Sequence, residues 1–103
     1  MSFERTTPPA WTIHPGEILE EEFLKPTGMS GYALAKSLHI APQVINDIVL
    51  QKRGISPENA LRLAKFFSTT PEFWMGLQNS YELGVARKSL KKKIGKIRPR
   101  SAA

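Results

Sequence analysis

Apolar residues recur along this chain at the three- and four-residue spacings that are typical of amphipathic α-helices. Five segments show this spacing, and capping residues or prolines mark where they begin. Ser56 and Thr70, for example, each precede a Pro-Glu pair, which supplies a first-turn proline and a carboxylate at the positive end of the helix dipole. No alternating strand pattern of useful length is present. The sequence therefore predicts an all-α fold of five helices.

Breaks in this periodicity give the approximate ends of the predicted helices. The first covers about residues 15–25 and stops at Pro26, because proline removes a backbone donor inside a helix. Ser30 caps the second helix, which ends near His39, and Pro42 opens the third. The fourth and fifth helices follow the two hydroxyl caps named above.

The second and third predicted helices are joined by a very short connection that contains Ile40 and Ala41. Because so short a connection does not allow antiparallel side-by-side packing, the two helices should cross at a steep angle, as in a helix-turn-helix. Ile40 is expected to fill the turn, and Ala35 is small where the helices approach each other. The residues expected to meet across the pair are Leu34, Leu38, Ile45 and Ile48.

Two positions around this unit are expected to adopt a left-handed backbone. His39 stands in the turn where glycine is common because φ tends to be positive, and histidine is tolerated there at modest cost. Gly54 is expected to end the third helix in the same conformation. If φ of His39 is positive, its replacement by glycine should leave the stability unchanged or raise it.

Charge divides the chain of 103 residues into a nearly neutral body and a basic end. Residues 1–86 hold 7 Lys and Arg against all 9 Asp and Glu, whereas residues 87–103 hold the other 8 basic side chains and no acid. A block of like charges is disordered by default, although it can neutralise phosphates. We therefore predict an N-terminal arm at 1–13, a helix-turn-helix domain at 14–87 and a disordered basic tail at 88–103.

The composition also argues against several classes of protein. The chain has no cysteine and no run of about 20 apolar residues, so we expect no disulfide, no membrane span and a cytoplasmic location. His14 and His39 lie far apart, and neither paired catalytic carboxylates nor metal-ligand spacing accompanies them. We therefore expect that the protein is not an enzyme and that it has no metal site and no cofactor.

The outward face of the third helix carries the candidate base-reading residues. With its isoleucines turned inward, this helix should present Gln43, Val44, Asn46 and Asp47 to a major groove. The amides of Gln43 and Asn46 can donate and accept at once against adenine, and Val44 could lie on a thymine methyl group. Asp47 would either accept from a cytosine amino group or orient a neighbouring side chain.

Candidate phosphate contacts surround this helix. Lys52 and Arg53 follow it directly, and Lys36 lies on the helix before it. The N–H groups at Ser30 and Gly31 open the second helix, where backbone donors attract anions. Taken singly, all of these residues could be ordinary solvated surface, and a protein-interaction module that never touches DNA stays open as an alternative.

The motifs resemble those of the HigA antitoxins, sometimes named VapI, in the lambda-repressor-like XRE group. The most specific are His14-Pro15-Gly16-Glu17 and Pro71-Glu72-Phe73-Trp74, and the resemblance runs from about residue 14 to 87. Other matching segments are Leu34-Ala35, Ile45-Asn46-Asp47-Ile48, Lys52-Arg53-Gly54-Ile55 and Ala60-Leu61-Arg62-Leu63-Ala64.

This resemblance implies a homodimeric repressor that binds a palindromic operator in its own operon. It also implies a toxin partner, a HigB-like mRNA interferase that the chain neutralises. The family's base-reading helix corresponds to Pro42 to Leu50, and its phosphate-contacting pair to Lys52 and Arg53. A stand-alone XRE repressor without a toxin is the alternative.

Dimers of this family commonly use the C-terminal helices, which points to Phe73, Trp74, Leu77 and Tyr81. The alternative for these aromatics is an intramolecular core. A two-fold pair would place the recognition helices about 34 Å apart, one turn of DNA.

Overall fold

The computed structural model describes residues 12–100, and within that range all regular structure is helical. The five helices are α1 at residues 15–27, α2 at Gly31–Leu38, α3 at Pro42–Val49, α4 at Pro57–Phe67 and α5 at Pro71–Gly95. The predicted all-α fold is therefore confirmed. Most of the predicted N-terminal arm lies outside the described residues.

The winding of α1 changes in its middle. Short α-helical pieces at Pro15–Ile18 and Lys25–Thr27 flank a π-helical stretch at Leu19–Leu24. Because a proline ring clashes with the carbonyl four residues earlier in an α-helix, the wider π turn gives Pro26 room. The helix therefore continues past its predicted end at residue 25, and it closes on Gly28 at φ 67°.

The turn between α2 and α3 has the predicted backbone. Ser30 accepts a hydrogen bond from the Ala33 N–H at 3.0 Å and so caps α2. His39 ends α2 with φ 60° and ψ 41°, which confirms the positive φ expected at this position. Leu34 and Ala35 of α2 are fully buried, as is Ile45 of α3. The two helices thus form the helix-turn-helix that their spacing predicts.

The end of α3 differs from the prediction at one residue. The left-handed residue is Gln51 at φ 64°, and Gly54 has no positive φ. The Lys52 N–H donates to the Asp47 carbonyl at 2.8 Å, which satisfies an end carbonyl of α3. Glycine is needed at position 54 for a different reason, because a Cβ there would lie 2.5 Å from the Gln78 side chain.

One hydrophobic core joins the five helices. Its fully buried large side chains include Leu19, Leu34, Ile45, Ile48, Leu63 and Trp74. On one side, the Phe23 ring lies 4.8 Å from the rings of Phe67 and Trp74. Aromatic pairs of this kind contribute about 0.5–1.5 kcal/mol each beyond burial. They hold α1 against α4 and α5.

The last helix extends beyond the core. Its last buried residue is Gly84 and its last half-buried residue is Ala86, whereas all residues from Arg87 to Gly95 are exposed. The helix therefore continues for two turns beyond residue 88, where the predicted basic tail begins, and residues 101–103 of that tail lie outside the described residues. Lysine and leucine are good helix formers, and cations are favoured at the C-terminal end of a helix dipole.

No helix within residues 12–100 is long and apolar enough to cross a membrane. In the same part of the chain, no group of three or more His, Asp and Glu is placed to hold a metal ion.

Candidate nucleic-acid interface

Helix α3 is anchored on one face and open on the other. Ile45 and Ile48 are 0% exposed in the core, whereas the side chains of Gln43 and Asn46 are exposed. These two amides lie three residues apart, so they share one face of the helix. Because the isoleucines fix the rotation of α3, both amides are held outward on a rigid support, as the sequence predicts.

Val44 is less available than expected. Its side chain is half-buried and packs against the hydrophobic core, as does that of Val49. The predicted contact of Val44 with a thymine methyl would therefore use only the part of the side chain that the core leaves uncovered.

Asp47 is engaged by two neighbours. Its Oδ1 accepts from Gln43 Nε2 at 2.7 Å, and its Oδ2 pairs with an Arg53 guanidinium nitrogen at 3.4 Å. Its side chain is only 17% exposed. Of the two predicted roles for Asp47, this geometry supports the orientation of neighbouring side chains over direct acceptance from a base.

The start of α2 lies directly against α3. A Cβ on Gly31 would stand 3.3 Å from Ile45 Cγ2, so α2 approaches α3 closely at its first residue. A cleft of about 410 Å³ brings Gly31 and Tyr32 together with Gln43 and Asn46. The first N–H groups of a helix have no intrahelical acceptor, so the start of α2 supplies free backbone donors. The cleft therefore places these donors on the same surface as the side-chain amides of α3.

Tyr32 belongs to this surface, although sequence reasoning missed it. Its side chain is 67% exposed beside the cleft, where a phenol can donate to a phosphate oxygen. The sequence alone did not identify it, because tyrosine is intermediate in burial and can face either the core or solvent.

The basic candidates are less tightly grouped. Lys52 and Arg53 are exposed immediately after α3, and Arg53 is held there by Asp47. Lys36 is also exposed, but it lies in the last turn of α2, at the end away from Ser30. The structure thus brings Lys52 and Arg53 to the α3 surface and leaves Lys36 at its edge.

The His14-Pro15-Gly16 segment contacts α3 on the side that faces the core. A Cβ on Gly16 would lie 1.8 Å from the Ile48 carbonyl oxygen, so only glycine allows α1 to begin so close to α3. The buried His14 accepts from the Gly16 N–H through Nδ1 at 2.9 Å, and its ring meets Tyr81 edge-on at 4.9 Å. Burial lowers the pKa of His14, which favours the neutral ring that this bond requires.

A buried amide fixes the loop after α3. Gln78 of α5 accepts from the Ile55 N–H at 2.7 Å and donates to Glu82 Oε2 at 2.7 Å. These bonds tie the segment that follows Lys52 and Arg53 to the last helix. No local pattern predicts this contact, because Ile55 and Gln78 lie 23 residues apart along the chain.

The four predicted dimer residues do not form one exposed patch. Trp74 is 0% exposed and donates through Nε1 to Thr69 Oγ1 at 2.7 Å, so the core alternative applies to it. Tyr81 is half-buried against His14, and Leu77 is half-buried on the core. Among the four, Phe73 has the most open side chain, at 40% exposed.

Comparison with known proteins identifies a sequence family that the chain matches and proteins that are similar to it. The chain matches the family described as "Helix-turn-helix" over residues 21–74. Virulence-associated protein I of Dichelobacter nodosus is 48% identical over 89 residues, which cover 86% of this chain and 82% of that protein.

Two solved structures are similar over most of the chain. The Pseudomonas aeruginosa antitoxin HigA with higBA promoter is 44% identical, with a TM-score of 0.84 over 87% of this chain and 99% of that chain. The antitoxin GraA in complex with its operator is 43% identical, with a TM-score of 0.82 over 87% of this chain and 92% of that chain.

Proposed function

The chain belongs to the helix-turn-helix family, and from that membership we propose that it is an antitoxin that represses its own operon and neutralises a HigB-like toxin. The resemblance to HigA antitoxins, first drawn from its motifs, is confirmed by these comparisons. The family is one of DNA-binding regulators and is not an enzyme class. Operator DNA as the ligand implies action in the cytoplasm.

The observation that carries this proposal is the presentation of α3. Its inner isoleucines are fully buried and its outer amides are exposed, in a fold that matches antitoxins solved with promoter or operator DNA. In the major groove, Gln43 and Asn46 would read bases, with Val44 as a partial apolar contact. The helix-turn-helix body at residues 14–87 would supply this recognition.

Phosphate contacts would set the register of α3 on the duplex. We assign them to Lys52 and Arg53, to the backbone donors at Ser30 and Gly31 and, at the edge of the surface, to Lys36. Such contacts neutralise phosphates without reading sequence, so each one adds salt dependence rather than base preference.

The functional unit we propose is a homodimer on a palindromic operator. One helix reads only a few base pairs, and a two-fold axis doubles this contact set. One exposed face of α5 follows a heptad spacing, with apolar residues at Phe73, Leu83, Leu90 and Ile94, small residues at Gly76 and Ser80, and Arg87 at the remaining position. Of the four residues predicted for the interface, Phe73 lies on this face and Trp74 lies in the core, whereas Leu77 and Tyr81 stay predictions.

Charge favours an antiparallel arrangement of two such helices. The first half of α5 carries Glu72 and Glu82, whereas the second half carries basic residues and no acid. Antiparallel pairing places opposite charges together and sets Gly76 and Ser80 of one copy beside the larger residues of the other.

A gel shift with the DNA upstream of the chain's own gene tests the DNA-binding role. The wild type should bind that duplex more tightly than a random duplex, and a Gln43→Ala/Asn46→Ala variant should bind both alike. Equal binding of both duplexes by the wild type would overturn the repressor assignment. Copurification of a small partner expressed from the same operon tests the toxin role, and its absence would favour a stand-alone repressor.

A further inference from the structure

We propose that Asp47 is a positioning residue that fixes the amide of Gln43 and thereby selects adenine at the base pair that Gln43 faces. This inference rests on the proposed DNA binding and adds to it the residue that sets the base preference of Gln43. It is carried by the hydrogen bond between Gln43 Nε2 and Asp47 Oδ1, at 2.7 Å on the outer face of α3.

The chemistry of the pair fixes which way the amide points. An ionised carboxylate can only accept hydrogen bonds, so Asp47 holds the nitrogen end of Gln43 and turns the oxygen end away. Without such a partner, the amide of an exposed glutamine is free to present either end. Asp47 therefore removes one of two orientations before any DNA arrives.

The groups left free on Gln43 match adenine. Oε1 remains as an acceptor and Nε2 keeps a second N–H, which together complement the N6 donor and N7 acceptor of adenine. Guanine presents acceptors at both O6 and N7, so the fixed Oε1 would face another oxygen. A cytosine or thymine edge offers one complementary group at most. The fixed amide thus favours adenine and disfavours guanine.

Asp47 acts through its neighbours rather than on the base. Its side chain is only 17% exposed, and both carboxylate oxygens are occupied, one by Gln43 and one by Arg53. The Arg53 charge also offsets the repulsion that a carboxylate would meet near phosphates. In addition, the Asp47 carbonyl accepts from the Lys52 N–H at 2.8 Å. One residue therefore links the base-reading amide to the basic pair assigned to phosphate.

The test is selection of the full chain against a pool of duplexes with a randomised central segment. Gln43→Ala locates the base pair that Gln43 faces, because preference there should flatten while other positions keep theirs. At that pair the wild type should prefer adenine by roughly 5- to 150-fold, the range of a good bidentate contact. Asp47→Asn should reduce this preference to within about threefold, because an asparagine amide accepts and donates equally well.

Two matched variants separate positioning from charge and from folding. Asp47→Glu keeps a carboxylate four residues from Gln43 and should retain the adenine preference. Glu22→Gln removes one exposed negative charge elsewhere, so it should raise affinity for all duplexes slightly and leave every preference in place. Asp47→Asn should also keep the preferences at pairs assigned to Asn46, which a general loss of structure would not allow.

Several results would overturn the inference. The wild type could prefer guanine at the base pair located with Gln43→Ala, or Gln43→Ala could change the preference at no pair. Asp47→Asn could keep the full adenine preference, or it could lose base preference equally at every pair. A wild type that enriches no sequence at all would instead refute the proposed function itself.

Discussion

Helix α3 and the second half of α5 both present side chains to solvent, but they are supported in opposite ways. α3 is only eight residues long, yet two isoleucines, a glycine contact from α1 and a tied loop hold it in place. The end of α5 is longer and has no buried side chain beyond Gly84. The comparison shows that the proposed base-reading surface is held from behind by the rest of the fold, whereas the proposed pairing surface at the end of α5 has no such support within the chain.

The largest expected difference in the free energy of unfolding is between alanine variants of two isoleucines, one in each region. Ile48→Ala should lower the free energy of unfolding by about 2–5 kcal/mol at any protein concentration, because Ile48 is fully buried. Ile94 is 55% exposed, so Ile94→Ala should act only through the proposed dimer, and its effect should grow with protein concentration. Urea unfolding followed by circular dichroism at several concentrations measures both. An equal, concentration-independent loss for the two variants would contradict the comparison.

A second test concerns the contact beneath α3. Gly16→Ala should destabilise the chain by about 1–3 kcal/mol, because its Cβ would meet the Ile48 carbonyl, a backbone atom that cannot move aside alone. Gly95→Ala is the matched control, since nothing lies within 4 Å of a Cβ there and alanine is the better helix former. Wild-type stability in Gly16→Ala, measured in the same urea experiment, would show that α1 does not support α3 in this way.

A smaller effect should come from pH through His14. Burial lowers the pKa of His14, so this side chain binds a proton more readily in the unfolded chain than in the folded chain. Stability should therefore be complete above the ordinary histidine pKa of about 6.5 and should fall as the pH drops below it. His14→Gln should flatten this part of the curve. A curve of unchanged slope in His14→Gln would assign the pH dependence to other groups.

The smallest effect is expected in the turn itself. His39 has φ 60°, so His39→Gly removes a mild backbone cost and should leave stability unchanged or raise it by at most about 1 kcal/mol. Thermal unfolding measures this change. Ser37→Gly, inside α2, is the control and should be destabilising. A loss of more than about 1 kcal/mol in His39→Gly would argue against the turn geometry.

The sequence was informative where a local rule decides the structure. Helix caps at Ser30, Ser56 and Thr70 all form as predicted, and the short connection correctly indicated the positive φ of His39. Local rules also favoured glycine as the left-handed end of α3, but Gln51 takes that role. The reason for Gly54 lies instead in its approach to Gln78, which only the tertiary fold brings near.

For the site, the sequence identified which helix faces outward but not how its residues are connected. Gln43 and Asn46 follow from helical periodicity alone. The choice between two roles for Asp47 required the positions of Gln43 and Arg53 relative to its carboxylate. The family resemblance pointed to Trp74 as a dimer residue, with the core as the alternative. An amphipathic pattern could not choose between the two, since a core and an interface both bury apolar side chains.

The hydrogen bond between Ile55 and Gln78 joins the loop behind α3 to the long final helix, across 23 residues of the chain. A substitution at this one buried amide would therefore affect two parts of the fold at once: the segment that follows Lys52 and Arg53, and the helix that carries the exposed basic end.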